Sequence, residues 1–342
     1  MACGGISDDT GALLTCQISC GTQCRNNSKG ICIYACPNNP RVLFRELKQV
    51  KSFEYLPQSQ IAVPEYWHLP LYVPQIHHGY RRTRPFEIES GFAAVAVADL
   101  LVYARDCASP SSVRHRFQLA KNTRIIAVGV ARDDWLERWW ADFRQQAAFL
   151  QQIDVAAVTV PNFSVFTDAP RHQTLIHIAR MHHFAERLTN DGLSVIPHLY
   201  AETPEDWGRW AEFLSNQRHV RFLAVEFQTG LRVRRRAIEF IQEVANLQRS
   251  IGRPLHLLAI GGARYVPELQ QTCASFTVLD SQPFMKALYR RAYRHLPPHD
   301  FAWVRKFTRD KEPIDALFEH NMIEYPRRLD RARANEVHSL AA

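Results

Sequence analysis

Residues 221–261, RFLAVEFQTGLRVRRRAIEFIQEVANLQRSIGRPLHLLAIG, set two short apolar runs around one long amphipathic stretch. RFLAVEF (221–227) and LHLLAIG (255–261) are almost continuous in apolar residues, as strands buried on both faces require. Between them, 231–251 carries apolar residues at helical spacing, and Gly252 follows where a left-handed residue ends a helix. The stretch reads as one strand–helix–strand unit, whose two strands pair in parallel through a right-handed crossover.

The same unit recurs outward in both directions. Further strands are expected at 70–76 (PLYVPQI), 92–98 (FAAVAVA), 124–130 (RIIAVGV), 155–160 (VAAVTV), 193–198 (LSVIPH) and 275–280 (SFTVLD), which brings the total to eight. Helical patterning covers roughly 133–152, 169–190, 204–216, 231–251, 263–272 and 282–295, with a further helix near 110–119. Asp133 and Asp134 stand in capping position, Thr203-Pro204 opens another helix, and Gly192 follows one. Eight such units in about 230 residues predict an α/β fold of (β/α)8 TIM-like barrel type over 70–295. No G-x-G-x-x-G follows the first strand, which removes the main mark of the open dinucleotide-binding sheet.

Outside the barrel the chain divides into a cysteine-rich extension with its linker, 1–69, and a basic appendix, 296–342, expected to form short helices after Pro297-Pro298. The N-terminal stretch lacks a basic region ahead of an apolar one, and no apolar run nears the ~20 residues of a membrane span. The expectation is a cytoplasmic protein without a membrane partner.

Of eight cysteines, Cys16, Cys20, Cys24, Cys32 and Cys36 fall within 21 residues. In a reducing compartment such density points to thiolates converging on a metal, whose charge relieves their mutual repulsion. The x3 spacings and the closing Cys36-Pro37 suit an iron–sulfur cluster; zinc stays open as the alternative. The net charge is +8, and arginine is concentrated at 232–236, 290–294 and 327–333, which suits phosphate contacts or a solvated helix face.

Barrel active sites lie at the C-terminal ends of the strands. Those ends carry Gln75, His77 and His78; Asp99; Arg132 and Asp133; Asn162 and Ser164; His198, Tyr200 and Glu202; Glu226 and Gln228; Gly261, Gly262 and Arg264; and Asp280 with Ser281. Asp280 ends the apolar run FTVL, either as a catalytic carboxylate or as the cap of the helix starting near Gln282. Asp99 shares both readings. Glu226 sits inside FLAVEF, where an unpaired buried carboxylate costs several kcal/mol, so it should face the mouth or meet a cation. Asn162, Ser164, His198, Gln228, Gly261, Gly262 and Arg264 are the candidate substrate-binding residues.

Residues 258–291, LAIGGARYVPELQQTCASFTVLDSQPFMKALYRR, resemble the last part of tRNA-guanine transglycosylases and of the DpdA-like deazaguanine DNA-modification proteins. The resemblance implies a nucleic-acid base-modifying enzyme in which Asp280 is the nucleophile and Gly261 and Gly262 line the base pocket. Asp99 would then be the second carboxylate, and DNA or tRNA the partner. The chain departs from that pattern in the short spacing from Gly262 to Asp280, in lacking a D-S-G-G segment near Asp99, and in carrying its cysteines ahead of the barrel. PNFSVFTDAP (161–170) resembles a segment of an uncharacterised phage and mobile-element protein family, placing Asn162, Ser164 and Asp168 at the mouth. Two other readings stay open. One is a redox or radical enzyme fed by the cysteine cluster; the other is a non-catalytic nucleic-acid-binding component of a larger complex with a structural metal site.

Overall fold

The computed structural model describes residues 46–64, 67–163, 165, 171–296, 300–307, 309 and 311–340. Cys16, Cys20, Cys24, Cys32 and Cys36 lie outside the described residues, as do Ser164 and Asp168.

Each of the eight apolar runs contains a strand: β1 (Tyr72–Pro74), β2 (Phe92–Ala96), β3 (Arg124–Val128), β4 (Ala157–Thr159), β5 (Val195–Ile196), β6 (Phe222–Glu226), β7 (His256–Ile260) and β8 (Ser275–Asp280). The helices are α1 (Val97–Tyr103), α2 (Pro110–Arg116), α3 (Asp133–Ala141), α4 (Phe143–Gln152), α5 (Arg171–Asn190), α6 (Pro204–Asn216), α7 (Arg234–Ile251), α8 (Val266–Thr272) and α9 (Gln282–Leu288). A hairpin of β9 (Arg291–Leu296) and β10 (Asp300–Arg305) follows, then α10 (Asp315–Leu340).

The eight strands form two four-stranded sheets, ordered β1-β8-β7-β6 and β2-β3-β4-β5, with every pairing parallel. The chain is thus an α/β protein in which β1 to β8 run one way and the β9–β10 hairpin is antiparallel. Two isolated parallel bridges connect the sheets, Gln75 to Ala94 and His198 to Ala224. Backbone hydrogen bonds of 2.8 Å accompany them, Ile76 N to Ala94 O and Leu199 N to Ala224 O.

Both faces of the sheets are buried, and they sort by strand parity. Val73, Ala94, Ile126, Ala157, Ile196, Ala224, Leu258 and Leu279 pack together in one cluster drawn from both sheets. The alternate residues, among them Tyr72, Val95, Ala127, Val158, Leu223, Ala259 and Val278, pack with the helices in a second, larger cluster. A side-chain period of two makes this sorting strict within a strand.

Local signals hold at several ends. Thr203 and Asp206 exchange side-chain and backbone bonds in a capping box ahead of Pro204, and Gly252 closes α7 with φ 66°. Other expectations need correction. The single helix over 133–152 divides at Asp142 into α3 and α4. Asp133 and Asp134 occupy the first turn of α3, and the N-cap position belongs to Arg132. A helix, α1, follows β2 directly.

Helix 282–295 stops at Leu288, because Arg290 turns left-handed (φ 54°) and the chain re-enters as a strand. The appendix is therefore a hairpin and one long helix, with Pro326 inside it, instead of short helices. Its aromatic residues account for this. Tyr293 lies against Phe301 and Trp303 across the hairpin, with ring centroids 5.1 and 4.5 Å away, and Tyr325 of α10 packs on Tyr293 at 5.4 Å.

Candidate functional site

The closest pair of candidate side chains joins the ends of β1 and β2. His77 Nδ1 lies 2.6 Å from Asp99 Oδ2, with the side chains 28% and 23% exposed. Asp99 stands in the first turn of α1, whose N-cap residue is Ala96, so its carboxylate caps nothing and is committed to His77. An aspartate that accepts from Nδ1–H fixes the imidazole tautomer and leaves Nε2 bare. His78, beside it, packs among Tyr80, Tyr103 and Phe284, and burial pushes its pKa down.

Further round the same ends, three polar side chains share the parity of the inner cluster. Gln75 continues the register of Val73, and its Oε1 is buried without a hydrogen-bond partner. His198 continues that of Ile196; it is buried, its Nδ1 has no partner, and desolvation lowers its pKa to about 3, so it stays neutral. Glu226 continues that of Phe222 and Ala224, as its buried position in FLAVEF required. No cation meets it. Its oxygens accept from the Gln228 backbone N–H and, at 2.6 Å, from the Thr229 hydroxyl.

Gly261 after β7 has φ 71°, and a Cβ there would collide with the Gln228 side chain, so glycine is required twice over. Gly262 is buried against Ala259 and Phe227. Asn162 is half-buried and bonds Gly129 O through its backbone N–H, while Arg264 is exposed with its guanidinium near the Tyr265 ring. Tyr200 donates to Glu202 at 3.4 Å, and burial raises its phenol. Arg132 pairs with Asp134 at 3.0 Å on the surface.

Asp280 does not join this group. Leu279 belongs to the inner cluster and Val278 to the helix-facing one, so Asp280 points with Val278, away from Glu226 and His198. Its carboxylate, in a residue 3% exposed, accepts from the Tyr325 hydroxyl of α10 at 2.6 Å, from Gln282 N at 2.9 Å and from Gln282 Nε2 at 3.2 Å. Desolvation outweighs these bonds and raises its pKa. Asp280 thus anchors α9 and α10 to the sheet. The expected convergence of Asp99, Glu226 and Asp280 on one face does not occur. Tyr325 was missed from the sequence because a tyrosine in a basic helix shows nothing of its partner.

Three arginines of these clusters form ion pairs among the described residues. Arg234 pairs with Glu268, Arg235 with Glu239 at 3.6 Å and Arg327 with Glu324 at 2.6 Å. Among the described residues no group of three or more His, Cys, Asp or Glu side chains is placed to hold a metal ion, and no helix is long and apolar enough to cross a membrane. No family model matches the chain, and no curated protein matches it.

Proposed function

We propose that the two sheets close into one (β/α)8 barrel and that the chain is a nucleic-acid-modifying enzyme whose chemistry lies at the C-terminal ends of its strands. Closure is supported by the bridge at each seam and by the inner cluster that both sheets share. The observation that carries the enzymatic reading is the 2.6 Å His77–Asp99 pair on adjacent strand ends, a general acid–base device with its Nε2 bare.

The finer reaction follows the resemblance to guanine transglycosylases, with the attacking role moved to Glu226 and the proton role given to the His77–Asp99 pair at the ends of β1 and β2. Glu226 is the attacking carboxylate in place of Asp280. Its oxygen bonds to the anomeric carbon and the carbon–nitrogen bond breaks with its electron pair going to the base, which receives a proton that the bare Nε2 of His77 has first taken up from solvent. The incoming base gives its proton back to His77 and displaces the carboxylate. Gln75 and His198 offer unpaired polar atoms to a substrate on that face. The net charge of +8 favours a polyanionic substrate.

The test is a denaturant-stable adduct between the full chain and labelled tRNA or single-stranded DNA. Glu226→Gln is expected to abolish the adduct, His77→Gln and Asp99→Asn to slow it by roughly 10²–10⁴-fold, and Asp280→Asn to retain it. An adduct that survives Glu226→Gln and disappears with Asp280→Asn overturns the assignment.

A second reading, a nucleic-acid-binding component without catalysis, is favoured by Glu226 spending its oxygens on Gln228 and Thr229. It requires that none of these substitutions alters any reaction. The proposed metal or iron–sulfur site rests on the sequence spacing of Cys16, Cys20, Cys24, Cys32 and Cys36, and no step above passes through it. Elemental analysis of anaerobically purified full chain is expected to find iron with visible absorption, or zinc. Metal-free protein removes that proposal.

A further inference from the structure

A cleft of about 450 Å³ lies between three segments distant in sequence, and among the described residues its charged lining is cationic: Arg81, Arg290, Arg305, Lys306, Arg309 and Lys311. The remaining lining residue is Phe307, which is 89% exposed. Among the described residues none of the six cations has a carboxylate within ion-pair distance, unlike Arg234 and Arg235 of α7. Clustered like charges repel one another, and nothing in the packing of the fold calls for them here.

The backbone supports the same conclusion. Arg81, Arg290 and Lys311 all adopt left-handed conformations, at φ 64°, 54° and 60°. Such a conformation crowds the Cβ of any L-residue against the backbone, where glycine would be free of strain. The turns are pinned: Ile314 N–H donates to Arg81 O, Lys306 N–H to Arg290 O, and the Arg290 guanidinium to the carbonyls of Glu312 and Pro313. Cations are therefore held in rigid, unfavourable turns that bring the three segments together. Strain kept at a site where the charges have no carboxylate partner among the described residues points to an anionic ligand.

Aromatic rings identify the ligand class. Phe307 carries its apolar face into water beside Arg305, whose guanidinium is 5.7 Å from the ring centroid. Exposed tyrosines stand next in sequence to two of the strained arginines, Tyr80 before Arg81 and Tyr289 before Arg290. Phosphates neutralise the cations, and an exposed ring offers a stacking surface for an unpaired base. A duplex presents no base face to Phe307, and a single phosphate group would leave most of the six cations uncompensated.

We propose that this cleft is a binding site for single-stranded nucleic acid, with phosphates along the cations and a base stacked on Phe307. The proposal rests on nucleic acid being the polymer recognised, and is independent of the chemistry assigned to Glu226 and His77.

The test is fluorescence anisotropy with the full chain and a labelled 20-nucleotide strand, its duplex, an abasic strand of equal length, and anionic phosphatidylserine vesicles as competitor. Binding of the single strand is expected to weaken with salt, with a log–log slope of about −3 to −4, as about five neutralised phosphates give. The double substitution Arg305→Glu/Lys306→Glu is expected to cut affinity at least 30-fold, and Arg235→Glu on α7 to leave it within twofold. Phe307→Ala is expected to lose about 10-fold on the ordinary strand and nothing on the abasic one. Melting curves establish that the variants fold, and Arg305→Gln serves if the double variant does not. Equal binding of both strands by wild type and Phe307→Ala, duplex binding as tight as single-strand binding, or vesicles that bind where oligonucleotides do not, each overturns the proposal. Glu226→Gln is expected to bind the strand as wild type does. Adduct formation lost with binding intact therefore concerns the mouth chemistry, and binding lost on Arg305→Glu/Lys306→Glu concerns the cleft.

Discussion

Asp280 illustrates what a strand buried on both faces hides. In SFTVLD the carboxylate is visible as a polar end to an apolar run, but no alternation shows which face it takes. Only the separation of Leu279 from Val278 into different clusters settles that it points to the helices, where Tyr325 meets it. Glu226 within FLAVEF is expected from its sequence to face the mouth or meet a cation; among the described residues it meets no cation and accepts from the Gln228 backbone N–H and the Thr229 hydroxyl instead. Two outcomes follow for Asp280. Asp280→Asn turns one of two acceptor oxygens into an NH2 donor, facing either Gln282 N or the Gln282 Nε2 and Tyr325 donors, and should lower stability by about 1–3 kcal/mol in urea unfolding. Tyr325→Phe should cost about as much and couple to it, since the pair shares one hydrogen bond; additive losses in a double-mutant cycle would show that the bond contributes nothing.

At the scale of elements, the strands were readable because continuous apolar runs bounded by turn residues have few other uses. The C-terminal hairpin was not. RAYRHL buries only Ala292 and Tyr293, and the break before it depends on a left-handed arginine that no sequence rule flags. Buried histidines in the elements give a pH dependence. Desolvation lowers His182 in α5 and His198 after β5 to about 3, and His256 in β7 to about 4. Unfolded histidine titrates near 6.5. With folded values depressed, the stabilisation is complete above pH 6.5 and is lost as pH falls toward 3–4, because unfolding takes up protons in that window. Urea midpoints measured from pH 7 to pH 5 should fall by on the order of 2 kcal/mol for each histidine. A flat profile would mean that these imidazoles are already solvated in the folded protein.

Across the whole molecule, the two seams between the sheets stand apart from the six full strand pairings. Each seam is held by a single bridge, and each bridge is made by a residue whose side chain leaves a buried polar atom unpaired: Gln75 Oε1 at one and His198 Nδ1 at the other. An unsatisfied buried group costs about 1–3 kcal/mol, and an apolar group of similar shape removes that cost. Gln75→Leu and His198→Leu should therefore raise stability by about 1 kcal/mol each at pH 7.5, and the second should also flatten the acid dependence by one histidine. If the two sheets close into the proposed barrel and the seams are where it opens, the Ile76 and Leu199 amides should exchange with solvent faster than Val278 within the β1–β8 pairing. Both substitutions should slow them. A fall in stability on either substitution would show instead that the free polar atom is satisfied in solution. The inner face would then be hydrated, and Gln75 and His198 would belong to a wet substrate site that the fold keeps at no energetic loss.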